Sequence, residues 1–381
     1  MGGFECTDKL NAFGNRVDFL PLTGHLNLLH TDYLNLELFS ISTVREGIRW
    51  SQIEKAPYIY DWSVVARMME IGQAQGIQQI WDICHFGFPD DLTPLHPLFP
   101  RRFAALCRGF ARFYRSLDAT SPLIVTPINE VSFLSWLGGQ VRGTSPFCVG
   151  QGWEVKYRLM KAYIEGVEAL KEVDAGVRIL TTEPLVNIRA PAGAQQAIRN
   201  DARNENEMQF QALDILAGRI CPELRGRPEY IDLVGLNFYY NNQWLVNTHE
   251  FVGWRADDTR WVPLHQLLKQ VHQRYGRPLV LSETSHPKED RPLWMDMITR
   301  ECRVALTMGI PLFGVCWYPI IDRPDWNDLD TWHQAGLWDR DPMPGGEHGR
   351  VLHEPTARAL LRAQAALSAN SASVERLVTV R

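Results

Sequence analysis

The chain has 381 residues, 45% of them hydrophobic and 22% charged, with a formal net charge of −5. That balance supplies a large core and suits a single α/β barrel with long loops. It argues against a nucleic-acid footprint, because no basic cluster is larger than Arg101-Arg102.

Seven cysteines lie scattered without a C-x-x-C pair, so neither a zinc framework nor a thioredoxin motif is present. Residues 1–20 lack a basic start followed by an apolar run. No apolar stretch approaches the roughly 18 to 20 residues needed to span a bilayer. The expectation is a soluble, cytoplasmic protein with reduced thiols, no membrane partner and no cofactor.

In chain order, residues 2–6 are a short first strand, and 26–39 carry a helix-like apolar pattern. Residues 42–50 (S-T-V-R-E-G-I-R-W) form a strand and the loop after it. Val64, Val65, Met68, Met69 and Ile71 mark a helix with Gly76 as its C-cap. Residues 77–85 are a strand ending in polar groups. Phe103, Leu106, Cys107, Phe110, Phe113, Tyr114 and Leu117 line one helical face at 3-4 spacing. The next strand, 123–130, reads L-I-V-T-P-I-N-E.

The alternation then continues. A helix is predicted over 155–170, a strand over 177–183 and a weaker helix over 204–217. A strand over 230–240 precedes a helix over 264–275. Strands at 278–283 and 312–318 flank a helix over 294–305, and an Ala/Leu-rich helix covers 355–367 with Pro355 in its first turn. Residues 369–381 read as a loosely held tail. Eight strand-then-helix units imply a closed (β/α)8 barrel formed by one domain over 1–381. An open doubly wound sheet would usually show a G-x-G-x-x-G first turn, and none occurs.

A barrel of this kind keeps its chemistry at the carboxyl ends of its strands. The longest stretches after strands are 86–100, 131–152, 241–261 and 319–354. Eight of the thirteen tryptophans, Trp136, Trp153, Trp244, Trp254, Trp261, Trp326, Trp332 and Trp338, fall in or beside them. A deep, aromatic-lined cleft is the expectation. Two strands, 123–130 and 278–283, are apolar runs that end on Glu130 and Glu283. Two carboxylates delivered from separate strands suit acid/base and nucleophilic work on one bond. Either glutamate alone would serve as well as a cap or an ion-pair partner.

The strand ends resemble those of clan A glycoside hydrolases, and family 1 β-glycosidases most closely. Thr126-Pro127-Ile128-Asn129-Glu130 looks like the clan's strand-four motif, and Leu281-Ser282-Glu283-Thr284 like its strand-seven motif. The resemblance implies a retaining β-glycosidase with Glu130 as acid/base and Glu283 as nucleophile. It further implies that Arg45 steadies Glu283, that His85 and Asn129 bond sugar hydroxyls, and that Tyr239, in Asn237-Phe238-Tyr239, bonds Glu283. Trp317 resembles a sugar-stacking floor, and Asp325-Trp326 sits near the family's Glu-Trp that reads the far hydroxyls. Three departures stand out: Thr284-Ser285-His286 follows Glu283, Asp325 is shorter than a glutamate, and Phe4-Glu5-Cys6 lacks the family's glutamine. The implied partner is a small β-linked glycoside.

Each residue also has a plainer reading. His85 alone is more often a core histidine, Trp317 alone more often core, and Arg45 could pair with Glu46 or Glu5. Asp325, Asp328 and Asp330 lack EF-hand spacing and read as a solvated loop. Two other classes fit the fold: a metal-dependent enzyme using His85, Glu183, Glu283 and His286, and a sugar-binding barrel without turnover.

Overall fold

The structure, a computed structural model, describes the chain apart from residues 249, 256–257, 343–347 and 379–381; the side chains at 342, 348 and 369–378 also fall outside it. Eight parallel strands close into a barrel. They are β1 (Gly2–Gly3), β2 (Thr43–Gly47), β3 (Gln78–Cys84), β4 (Ile124–Ile128), β5 (Arg178–Pro184), β6 (Leu233–Asn237), β7 (Leu279–Thr284) and β8 (Leu312–Trp317). Each strand pairs with its neighbours in sequence, and β8 returns to β1. The chain is a (β/α)8 barrel.

Helices cross between the strands, which is what parallel pairing requires. We number the longer ones α1 (His25–Glu37), α2 (Ser63–Ala74), α3 (Phe99–Leu117), α4 (Gly152–Val173), α5 (Gln196–Met208), α6 (Gln211–Leu216), α7 (Leu264–Tyr275), α8 (Arg291–Thr307) and α9 (Glu354–Val378). Phe103, Leu106, Cys107, Phe110 and Tyr114 form the buried face of α3, as their 3-4 spacing predicts. Gly166 lets α4 come close beneath it; an added Cβ would meet the Phe103 ring at 2.7 Å.

Inside the barrel, Ile80 on β3, Leu180 on β5 and Val280 on β7 pack together with Met1. This is the layer that alternate strands contribute to such a barrel. One pleat repeat further along the same strands stand Asp82, Thr182 and Ser282, all buried. The interior therefore changes from aliphatic to polar toward the carboxyl ends. That change places a charged network on an apolar plug.

Several boundaries differ from the sequence expectation. The first strand is two residues long, although the Phe4 N–H still bonds Arg45 O at 3.1 Å. The weak helix over 204–217 is two helices, α5 and α6. Only Ala202 of α5 is buried, so that helix has no apolar stripe to read, while α6 buries Ala212, Leu213, Ile215 and Leu216. β6 stops at Asn237 and starts after a short turn, Pro228–Tyr230. Helix α9 runs to Val378, through most of the stretch read as a tail; its side chains from 369 onward lie outside the described residues.

Five of the eight rim tryptophans fall in two groups. Trp254 and Trp261 pack on Trp294 with ring centroids 5.3 and 6.4 Å apart, and Trp338 is buried against Phe39. Trp136 and Trp153 are each 49% exposed. Much of the aromatic excess therefore fastens loops to the barrel instead of lining an open cleft.

Candidate active site

The polar layer is organised by Arg45, which rises from β2 and is fully buried. A lone guanidinium there would carry a large desolvation cost, so its partners matter. Nη1 donates to Glu283 Oε1 at 2.8 Å and to Ser282 O at 2.9 Å. Nη2 donates to Asp82 Oδ2 at 2.6 Å and to Asn129 Oδ1 at 3.1 Å. One side chain thus ties β2 to the ends of β3, β4 and β7. Arg45→Met leaves two buried carboxylates without their cation. It should lower unfolding stability by about 3–5 kcal/mol. Denaturant unfolding checks this, and a stability within ~0.5 kcal/mol of the unaltered protein would contradict it.

Arg45 also sets the next contact. With Oδ1 facing the guanidinium, Asn129 turns its amide nitrogen to His85 Nε2, 3.2 Å away. The other ring nitrogen of His85, Nδ1, donates to Asp82 Oδ2 at 2.8 Å. The Tyr318 ring stacks on the His85 ring, with centroids 5.8 Å apart and planes within 3°. Gly3 makes room for that tyrosine, since a Cβ there would fall 2.1 Å from its ring. The strands end abruptly at this network. Phe86, directly after His85, has φ 70°, and Glu130, directly after Asn129, has φ 47°. Both are left-handed conformations that side chains disfavour. The Glu130 N–H is fixed to Thr182 O at 2.9 Å on β5.

The two glutamates sit in opposite surroundings. Glu283, 5% exposed, accepts from Arg45 on Oε1 and from the Tyr239 hydroxyl on Oε2 at 2.9 Å. Both partners fix its carboxyl in place. Among the described residues Glu130 has no cation in hydrogen-bond range; Asn237 Nδ2 donates to its Oε1 at 2.9 Å. Burial first, and then the nearby Glu283 charge, push the Glu130 carboxyl well above the ordinary glutamate range. Asn237 is itself held by the Ser282 hydroxyl, which donates to its Oδ1 at 2.6 Å. One carboxyl is arranged to be charged and its neighbour to keep a proton. Such a pair can deliver an anion and an acid to one bond.

Seven residues predicted for the site are therefore joined, with Ser282 as the link, in one bonded network: Arg45, His85, Asn129, Glu130, Asn237, Tyr239 and Glu283. Three others stand outside it. Trp317 ends β8, is buried, and donates its ring N–H to Ala335 O at 3.0 Å. Asp325 Oδ1 accepts the N–H groups of Asn327 and Asp328, and Oδ2 faces His333 at 3.4 Å. Trp326 packs on Phe86 and Phe133, with the Lys9 ammonium 4.3 Å from its ring centre.

Sequence reasoning missed Asp82, Tyr318, Ser282 and Glu5. Asp82 carried a readable signal: a charged residue inside I-W-D-I, on a strand buried on both faces, must have a partner. Glu5 is buried, accepts from the Thr7 hydroxyl at 2.7 Å, and pairs with Arg323 at 3.1 Å. Nothing in Phe4-Glu5-Cys6 alone marks it. Arg45 pairs with neither Glu46 nor Glu5; Glu46 instead faces His25 at 2.9 Å.

The four residues of the metal alternative have separate partners. Glu183 accepts the Ser132 N–H at 3.1 Å, and His286 lies between Tyr240 and Trp254. Cys6, Asp82 and His85 do offer ligand atoms within 4.8 Å of one another. Their shared oxygen, Asp82 Oδ2, already takes the Arg45 guanidinium, so a cation there would meet a fixed positive charge. No described helix is long and apolar enough to cross a membrane.

No protein-family model matches the sequence, and neither does any curated protein. Among solved structures, the chain is similar to a β-glucosidase from Thermotoga maritima in complex with azafagomine. Identity is 15%, coverage is 88% of this chain and 86% of that one, and the TM-score is 0.71. A structure described as the family 1 β-glucosidase from Thermotoga maritima gives 16%, 90%, 87% and 0.70 in the same order. A hyperthermophilic β-glucosidase mutant gives 15%, 89%, 88% and 0.72. Likeness along nearly the whole of both chains shows that this protein has the (β/α)8 fold of those β-glucosidases.

Proposed function

We propose that the protein is a retaining β-glycosidase acting on a small β-linked hexoside, with Glu283 as nucleophile and Glu130 as acid/base. The observation that carries this reading is the contrast between the two carboxyls: Glu283 between Arg45 and Tyr239, and Glu130 half-buried with no described cation in hydrogen-bond range. The fold shared with β-glucosidases supports it.

A glycosidic bond breaks through an oxocarbenium-like transition state, which needs an anion at C1 and a proton on the leaving oxygen. In the first step Glu283 forms a bond to C1 while Glu130 protonates the departing oxygen. The Glu283 charge is lost in the ester, so Glu130, now an anion, can accept a proton from water as that water attacks C1. Glu283 leaves as a carboxylate and Glu130 is protonated again. Asn129, oriented by Arg45, is the donor we assign to the 2-hydroxyl. Trp317 would form the floor under the sugar, and Asp325 with Trp326 would meet its far hydroxyls.

A panel of aryl α- and β-glycosides, with 6-phospho forms included, tests the substrate class. Cleavage of unphosphorylated β-glucosides, β-galactosides or β-fucosides is expected. Turnover confined to α-linked or phosphorylated members would overturn the reading, as would tight sugar binding with no turnover at all.

A further inference from the structure

We infer that Glu183, at the end of β5, is a positioning residue for Glu130: it anchors the turn that carries Glu130 and sets a second carboxyl beside that group. The inference rests on Glu130 being the proton donor proposed above. Its basis is geometric. Glu130 caps a single helical turn, Val131–Leu134, that begins in the left-handed region. Two contacts from β5 hold that turn. The Glu130 N–H donates to Thr182 O at 2.9 Å, and the next residue but one, Ser132, donates its N–H to both Glu183 oxygens, at 3.1 and 3.4 Å. Glu183 is 4% exposed, so its carboxylate is fixed in place and poorly screened.

The groups facing Glu183 are few. From α4 come Lys156, which gives its ammonium to Gln211 Oε1 at 2.9 Å, and the Tyr163 hydroxyl, which stays neutral at working pH. From the turn after β4 comes Glu130, which in turn faces Glu283, Tyr239, Asn237 and Arg45. Burial, opposed by the Ser132 bond and by Lys156, brings the Glu183 carboxyl up to about 7. Above neutral pH it is therefore ionised. There its repulsion resists loss of the Glu130 proton.

Glu183→Gln keeps an acceptor for Ser132 but removes the charge; Glu183→Ala removes both. A general acid works only while protonated, so kcat/KM on a substrate with a poor leaving group falls as pH rises through the Glu130 pKa. Without the Glu183 charge that pKa drops. The basic limb of the profile should thus move to lower pH in Glu183→Gln. Glu183→Ala should show the same movement and a further loss of about tenfold or more on poor leaving groups, but a smaller one on activated aryl glycosides.

The infrared carbonyl band of protonated Glu130, identified by its loss in Glu130→Gln, should titrate at lower pH in Glu183→Gln. This band reads the protonation of Glu130 whether or not any glycoside is cleaved. A protein that cleaves no glycoside would therefore sink the glycosidase reading while the band still judged Glu183. A band that titrates at an unchanged pH in Glu183→Gln overturns the inference, as do equal losses for both leaving-group classes in Glu183→Ala.

Discussion

Glu283→Ala stops turnover of every glycoside that the unaltered protein cleaves, with an expected loss on the order of 10⁵-fold. The size follows from geometry. Glu283 is the carboxylate bonded to Arg45 and Tyr239, and no other carboxyl occupies that pair of donors. Alanine leaves C1 with no nucleophile, and the loss should be the same for good and poor leaving groups. A 2-deoxy-2-fluoro β-glycoside gives the complementary result in the unaltered protein. Fluorine withdraws electrons from the oxocarbenium-like transition state and removes the 2-hydroxyl, so the ester on Glu283 should persist long enough to isolate. Peptide mapping should find the added sugar on the peptide that holds Leu281 to Thr284. A label on another carboxylate, or a first-formed product of inverted configuration, would remove Glu283 from this role. Retention also requires the two carboxyls to stand about 5 to 5.5 Å apart.

The second large effect is selective. Glu130→Ala should slow hydrolysis of alkyl or sugar leaving groups by roughly 10²–10⁴-fold, the range that general acid catalysis supplies. Activated phenolates leave without a proton, so their kcat/KM should fall far less. The pH dependence has a definite sign. In the unaltered protein, burial and the Glu283 charge raise the Glu130 pKa, so the acid form should persist toward neutrality and activity should decline on the alkaline side. In Glu130→Ala that alkaline decline should vanish for activated substrates. Equal losses on both leaving-group classes, with the decline intact, would show that the proton comes from elsewhere.

Most of the barrel was readable because its signals are local. Buried strands such as the one over 279–284 open on an apolar run, Leu279 to Leu281, and faces such as Phe103 to Tyr114 on α3 repeat at helical spacing. The glutamates were readable because each interrupts such a run at its end. What stayed hidden depends on contacts between distant residues. Asp82 is one of many acidic residues until Arg45, 37 positions away, is brought against it. Tyr318 becomes part of the site only because Gly3, at the other end of the chain, leaves room for its ring. The polar helix α5 failed for a different reason: it is held by the small β-structure around Ile188, and nothing in its own sequence shows an apolar face. Burial likewise separated the tryptophans that pack loops from those near solvent, which composition cannot do.

The left-handed backbone at residue 130 has a consequence for how this chain could have changed over time. A non-glycine residue at φ 47° costs on the order of 1–3 kcal/mol, whereas glycine adopts that conformation freely. A lineage released from the need for a carboxyl at this point would gain stability by drifting to glycine, one base change from a glutamate codon. Glutamate therefore occupies this position against the gradient that folding alone would set.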